Sequence, residues 1–216
     1  MSQAQTPGLL EQVDHLVYAV PDLARGIDTI ESLTGVRPGP GGRHPGWGTA
    51  NALLGLGPGR YLEVIGPDPE QAGFSGERLF HIDQLDGPRL VTWAAKGRGL
   101  ERLAGINLGD GERIGQALPA SRQREDGSEL RWVLTDPTVP VASGLIPFFI
   151  DWGDSPHPFT SAPGGVELVD LSLEHPDPEG VRAKAEALSL GVTVKPGSSP
   201  AIVATLQTPL GELLLR

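Results

Sequence analysis

An imidazole and a carboxylate stand on two strand-like runs of this chain. In Val13-Asp14-His15-Leu16-Val17-Tyr18-Ala19-Val20 the side chains alternate, which marks a half-buried strand. His15 is expected on the face of Val13, Val17 and Ala19. In Arg60-Tyr61-Leu62-Glu63-Val64-Ile65-Gly66, Glu63 falls with Tyr61 and Ile65. Helices must cover one face of such a sheet, and the more apolar set of Leu16, Leu62 and Val64 suits that role. His15 and Glu63 then project from the opposite, concave face and meet if their strands are neighbours. Such a pair suits a divalent transition metal: iron, manganese, nickel or zinc. The simpler alternative is a hydrogen-bonded core histidine beside a solvated glutamate.

A third carboxylate, Asp151, lies in Pro147-Phe148-Phe149-Ile150-Asp151-Trp152-Gly153. Superposing Phe148-Phe149-Ile150-Asp151 on Arg60-Tyr61-Leu62-Glu63 puts Asp151 at the place of Glu63. Among large apolar residues it needs a metal, an arginine or several N–H donors. Otherwise it turns outward and caps the Gly-Asp-Ser-Pro turn. His44, in Gly-Arg-His-Pro-Gly-Trp, is a candidate general base or anchor for a substrate oxygen, and so is His157 in Ser-Pro-His-Pro-Phe; both also read as ordinary loop histidines. Arg43 and Asn51 are candidates to contact a substrate carboxylate or carbonyl. Trp47 and Trp152 either wall a pocket or belong to the core. His81 and His175 read as structural or surface residues.

The elements that position these groups repeat. After the first strand come Pro21-Asp22, a helix with Leu23, Ile27, Ile30 and Leu33 on one stripe, and Gly35 as its stop. Strands follow near 49–56 and 60–65. The plan βαβββ describes residues 10–67. A degenerate copy over 89–160 begins at Leu90-Val91-Thr92-Trp93 and has Asp126-Gly127 as a hairpin turn. A third over 165–216 places Asp170 where His15 stands and Leu215 where Glu63 stands. With no long linker, the expected fold is α+β: repeated βαβββ modules in one compact assembly, forming an open, mostly antiparallel curved sheet or barrel with helices outside.

Composition narrows the partners. Gly 30 and Pro 21 make up about 24% of the 216 residues, just below the range of low-complexity disorder. The formal charge of −10 argues against nucleic acid and anionic membrane as partners. The absence of cysteine excludes disulfides, zinc-thiolate sites and thiol nucleophiles. Without a secretory signal or a spanning apolar run, a soluble cytoplasmic protein is expected.

Taken together, Asp-His-Leu-Val-Tyr-Ala-Val-Pro-Asp-Leu, Gly-Gly-Arg-His-Pro-Gly-Trp-Gly-Thr-Ala-Asn-Ala-Leu, Arg-Tyr-Leu-Glu-Val-Ile-Gly and Phe-Phe-Ile-Asp-Trp-Gly-Asp-Ser-Pro-His-Pro resemble the glyoxalase-like branch of the vicinal oxygen chelate superfamily. The resemblance implies paired βαβββ modules around a divalent transition metal. It implies His15, Glu63 and Asp151 as ligands, with Glu63 doubling as proton shuttle and His44 as auxiliary base. The implied activity is that of a metal-dependent isomerase, lyase or dioxygenase on a small oxygenated metabolite. The same resemblance also allows a metal-free protein that sequesters a small molecule, as bleomycin-resistance proteins do. A small molecule is the expected partner, with a homodimer left open.

Overall fold

The computed structural model describes residues 8–123 and 129–216; the expected Asp126-Gly127 turn lies outside them. A short helix, α1 (Leu9–Gln12), leads into β1 (Val13–Ala19), α2 (Leu23–Thr34), β2 (Gly39–His44), β3 (Thr49–Gly55) and β4 (Tyr61–Pro67). Then come β5 (Arg89–Lys96), β6 (Ala117–Gln123), β7 (Glu129–Thr135) and β8 (Phe148–Asp151). These eight strands form one curled sheet in the order β2-β3-β4-β1-β5-β8-β7-β6. β1 pairs parallel with β4, β5 pairs parallel with β8, and the two halves join antiparallel along β1 and β5. Curling brings the edges together: Arg122 of β6 lies so close to Gly42 of β2 that a Cβ there would sit 1.9 Å from its Nη1.

The backs of the two halves are covered differently. Asp22 caps α2 by accepting from the Arg25 N–H, and Gly35, at φ 76°, ends it. The helix lies on β4 at close range: a Cβ on Gly66 of β4 would be 3.1 Å from Leu23. The second half has only a single 3-10 turn, Leu100–Arg102, in that place. Its cover comes from a second sheet of β9 (Glu167–His175), β10 (Thr193–Pro196), β11 (Ala201–Thr208) and β12 (Gly211–Leu215), ordered β10-β9-β11-β12, with β11 against β5. A third helix, α3 (Pro178–Ala187), crosses between β9 and β10.

This last unit keeps the βαβββ order of elements but not the pairing of the first. β9 pairs parallel with β10, the next strand in sequence, whereas β1 pairs with β4, the last of its unit. Leu215 on the edge strand β12 is therefore separated from β9 by β11, and Asp170 faces Thr205 instead. The expected substitution of Leu215 for Glu63 is corrected accordingly.

One large core joins Leu16, Leu62, Trp93, Leu171, Val181 and Ile202 behind the curled sheet. A smaller one, Val17, Ala19 and Ile65 with Leu79 and Ile82, fills part of the concave face. Both agree with the period-two reading except at one residue. The β1–β5 register shifts between Val13 and His15, and Val13 packs into the large core with Leu16. A bulge thus turns two successive side chains, Asp14 and His15, away from that core. Strict alternation wrongly placed Val13 on the face of His15. The irregularity recurs in β5, where Leu90 and Trp93 face the large core around Val91-Thr92, and in β9, where Leu168 and Leu171 flank Val169-Asp170. No helix of the described residues is long and apolar enough to cross a membrane.

Candidate active site

The bulge in β1 builds the polar centre. Asp14 and His15 are buried, at 1% and 4% exposure, and Asp14 Oδ1 lies 2.7 Å from His15 Nδ1. Asp14 Oδ2 lies 3.0 Å from His157 Nε2, and Trp152 Nε1 donates to both oxygens at 3.3 and 3.2 Å. Burial by itself would raise the Asp14 carboxyl. The hydrogen bonds from His15 and His157, with the charge of both rings, outweigh it and hold the group at about 2. Asp14 is consequently ionised and only accepts. His157 Nδ1 accepts from the Phe159 N–H at 3.2 Å, so its Nε2 carries the proton given to Asp14.

The same logic orients His15. Its Nδ1–H donates to Asp14, leaving Nε2 to face Glu63 Oε2 at 3.8 Å. Asn51 Nδ2 donates to the other Glu63 oxygen at 2.5 Å, and Asn51 Oδ1 accepts from the Gly42 N–H at 2.6 Å. Asn51 reaches Glu63 diagonally, since β3 pairs it with Ile65. Tyr61 stacks on the His15 ring at 4.6 Å, and Phe148 meets that ring edge-on at 5.6 Å. The Tyr61 hydroxyl is pushed far up by burial, with Asp14 and Glu63 adding to the effect, so it stays protonated. His15 Nε2 and the Glu63 carboxylate thus face each other 3.8 Å apart on a largely buried face, beyond the range of a direct hydrogen bond.

The other expected residues separate into those near this centre and those outside it. His44 holds Thr49 Oγ1 through Nδ1 at 3.0 Å; crowding by protein atoms lowers its pKa, opposed by the charge of Glu63. Trp152 and His157 belong to the centre, but as donors to Asp14. Trp47 is 40% exposed on the rim of a large cavity. Arg43 makes two 2.9 Å bonds to Asp68 and a further one to Glu70.

Asp151 does not stand at the place equivalent to Glu63. It follows Phe149, a residue of the large core, by two positions, whereas His15 lies on the face of Phe148. At the strand end it accepts from the Gly153 N–H at 3.0 Å, the capping alternative. Register explains the misplacement. The shared bulge makes Thr92 equivalent to His15, so Ala94 matches Val17; Val17 pairs with Glu63 and Ala94 with Phe148. The counterpart of Glu63 is therefore Phe148, three residues before Asp151. Asp14 and Arg122 are the residues that sequence reasoning missed. Alternation hid Asp14 on the core face, and Arg122 reaches the centre only because the sheet curls; its charge acts on both Tyr61 and His44.

The donor set also tests the implied metal. A protein-held transition ion takes three or more protein ligands. His15 and Glu63 supply two, Asp151 lies on the other face, and no group of three histidines or carboxylates among the described residues is placed to hold an ion. The described residues do not fit a three-ligand centre.

Comparison with known proteins follows the geometry. No curated protein sequence matches significantly. The chain is similar to a hypothetical protein from Staphylococcus aureus, with TM-score 0.59 and 13% identity over 94% of this chain and 83% of that one. It is more distantly similar to the methylmalonyl-CoA epimerase of Mycobacterium tuberculosis, with TM-score 0.43 and 18% identity over 70% of this chain and 93% of that one. The epimerase of Streptomyces coelicolor bound to 2-nitronate-propionyl-CoA gives TM-score 0.43 and 16% identity over 64% and 95%. The sequence profile described as glyoxalase-like domain matches residues 13–199. With a match over most of its length and the curled sheet that the resemblance implied, the chain belongs to the glyoxalase-like domain family.

Proposed function

We propose that this protein is an enzyme that moves a proton at a carbon beside a carbonyl in a small oxygenated molecule, chemistry of the isomerase or lyase kind. The observation that carries the reading is the chain of contacts Asp14–His15–Glu63, with His15 Nδ1 tied at 2.7 Å and Nε2 open toward the carboxyl at 3.8 Å. His15 Nε2 takes the proton from carbon, and Asp14 steadies the imidazolium that forms. The Glu63 carboxylate receives that proton from the imidazolium and gives it on to the carbonyl oxygen, so the product of the step is an enol and neither charge is left in bulk water. Return of a proton to the other face of the carbon, or loss of a neighbouring leaving group, completes the reaction. His44 feels the Glu63 charge and is the next group able to relay that proton.

The test is solvent deuterium uptake at the α-carbon across a panel of ketones, 2-hydroxy ketones and thioesters, followed by NMR. Uptake above buffer by the native protein, lost in His15→Ala and Glu63→Gln, supports the reading. Saturable binding of a panel member with no uptake supports sequestration instead, and uptake unchanged in both variants overturns the assignment of residues.

A further inference from the structure

The second half of the sheet repeats the first with its chemistry removed: Thr92 stands at the place of His15, Val91 at that of Asp14 and Phe148 at that of Glu63. Over this apolar counterpart opens a cavity of about 1040 Å³, walled among others by Trp47, Leu79, Phe80, Val91, Thr92 and Phe148. Its size is enough for a small organic ligand. Phe148 belongs to both places, since its edge meets His15 at 5.6 Å while its face stacks on Phe80 at 6.5 Å and 28°. Arg78 in the wall is already committed, donating to Gly48 O at 3.0 Å and Asp83 at 2.7 Å and lying over Phe74, so its face of the cavity offers rings. Phe80, His81 and Ser143 hold φ of 58°, 52° and 58° along the same wall. Left-handed backbone at non-glycine residues is costly and is retained where surrounding structure insists on it, commonly beside ligands.

We infer that this cavity is the specificity pocket, and that it takes the ring of an aryl-substituted carbonyl compound whose carbonyl passes Phe148 to reach His15 and Glu63. The carbonyl half of the inference rests on the proton-transfer reading; the ring half rests on the cavity alone. Thr92 supplies a hydroxyl at the seam between the two, and Phe148 sets which ring shapes pass.

Equilibrium dialysis of the full chain against acetonaphthone, an aryl methyl ketone, tests the ring half. The expected result is saturable binding at about one site per chain, weakened at least tenfold in Val91→Trp, which fills the cavity, and severalfold in Phe80→Ala, which removes a stacking face. Binding in Asp151→Asn, outside the cavity, should stay within about twofold of the native protein. Near-ultraviolet circular dichroism identifies any variant that has lost its packing, and the two variants alter the cavity in opposite directions, so either one that folds decides the matter. Absence of saturable binding, or binding that every folded cavity variant leaves unchanged, overturns the inference. NMR of the same samples in heavy water separates the two readings: binding without deuterium entering the methyl group upholds the pocket and sinks the proton transfer.

Discussion

The two halves of the curled sheet share a topology and a bulge, yet one carries a buried acid–base pair and the other a phenylalanine and a threonine. In β1 the bulge exposes Asp14-His15 to the concave side; in β5 it exposes Val91-Thr92. Glu63 on β4 has Phe148 on β8 as its counterpart. The bulge is a device for presenting two adjacent side chains from one strand, and the residues placed on it decide whether it does chemistry or shapes a pocket. The backs of the halves differ in the same spirit: α2 covers the first, and a whole second sheet covers the second.

The largest expected effect breaks the polar half directly. His15→Ala and Glu63→Gln should each lower deuterium uptake by a factor of about 10² to 10⁴, the range for losing a positioned acid or base. Near-unchanged Tm in Glu63→Gln would show that the loss is chemical, because Asn51 can still pair with an amide at that site.

Restoring the polar half on the other side should show the next largest change. Thr92→His combined with Phe148→Glu puts an imidazole and a carboxylate at the positions equivalent to His15 and Glu63. The double variant should retain about one divalent transition ion per chain after dialysis, measured by elemental analysis, and bind it at least tenfold more tightly than the native protein. Equal metal content in both would contradict the equivalence of the halves.

Removing the support of the pair should cost less. Asp14 is held at about 2 against an ordinary 3.8, worth about 2 kcal/mol by linkage. Because the folded value is depressed, this stability is present above about pH 4 and is lost as pH falls toward 2. Acid unfolding followed by circular dichroism should show that extra loss in the native protein and lack it in Asp14→Asn, which should already be destabilised at neutral pH. His44 acts in the same direction at higher pH: burial lowers its pKa below 6.5, so the unfolded chain binds the extra proton first and stability should decline as pH drops below that value. His44→Gln should flatten this slope.

Asp151→Asn should have the smallest effect, within about 0.5 kcal/mol in stability and within twofold in deuterium uptake. A large loss of activity there would return Asp151 to the centre and break the register argument.

Much of this was legible in the residues. Alternation in Val13 to Val20 and Tyr61 to Ile65 identified both strands, and the two faces of β4 follow it without exception. The Pro21-Asp22 start and Gly35 stop of α2 were equally readable because capping is local chemistry. Where reasoning failed, a single extra residue was responsible. The bulge at Asp14 breaks period two without any glycine or proline to announce it, so the best-connected carboxylate of the site was passed over. Asp151 was misplaced because an apolar run fits another run in several registers, and only strand pairing chooses among them. Arg122 approaches from the far edge of the sheet, a contact that depends on curvature and leaves no trace in local sequence.

Deuterium uptake at the α-carbon of an aryl ketone, by protein dialysed against a chelator, tests the central claim most directly. The account predicts that uptake survives chelation, falls at least a hundredfold in His15→Ala, and does not rise when zinc, manganese, nickel or iron(II) is returned. Uptake that vanishes on chelation and reappears with one of these ions would contradict it, and would show that His15 and Glu63 act as ligands rather than as acid and base.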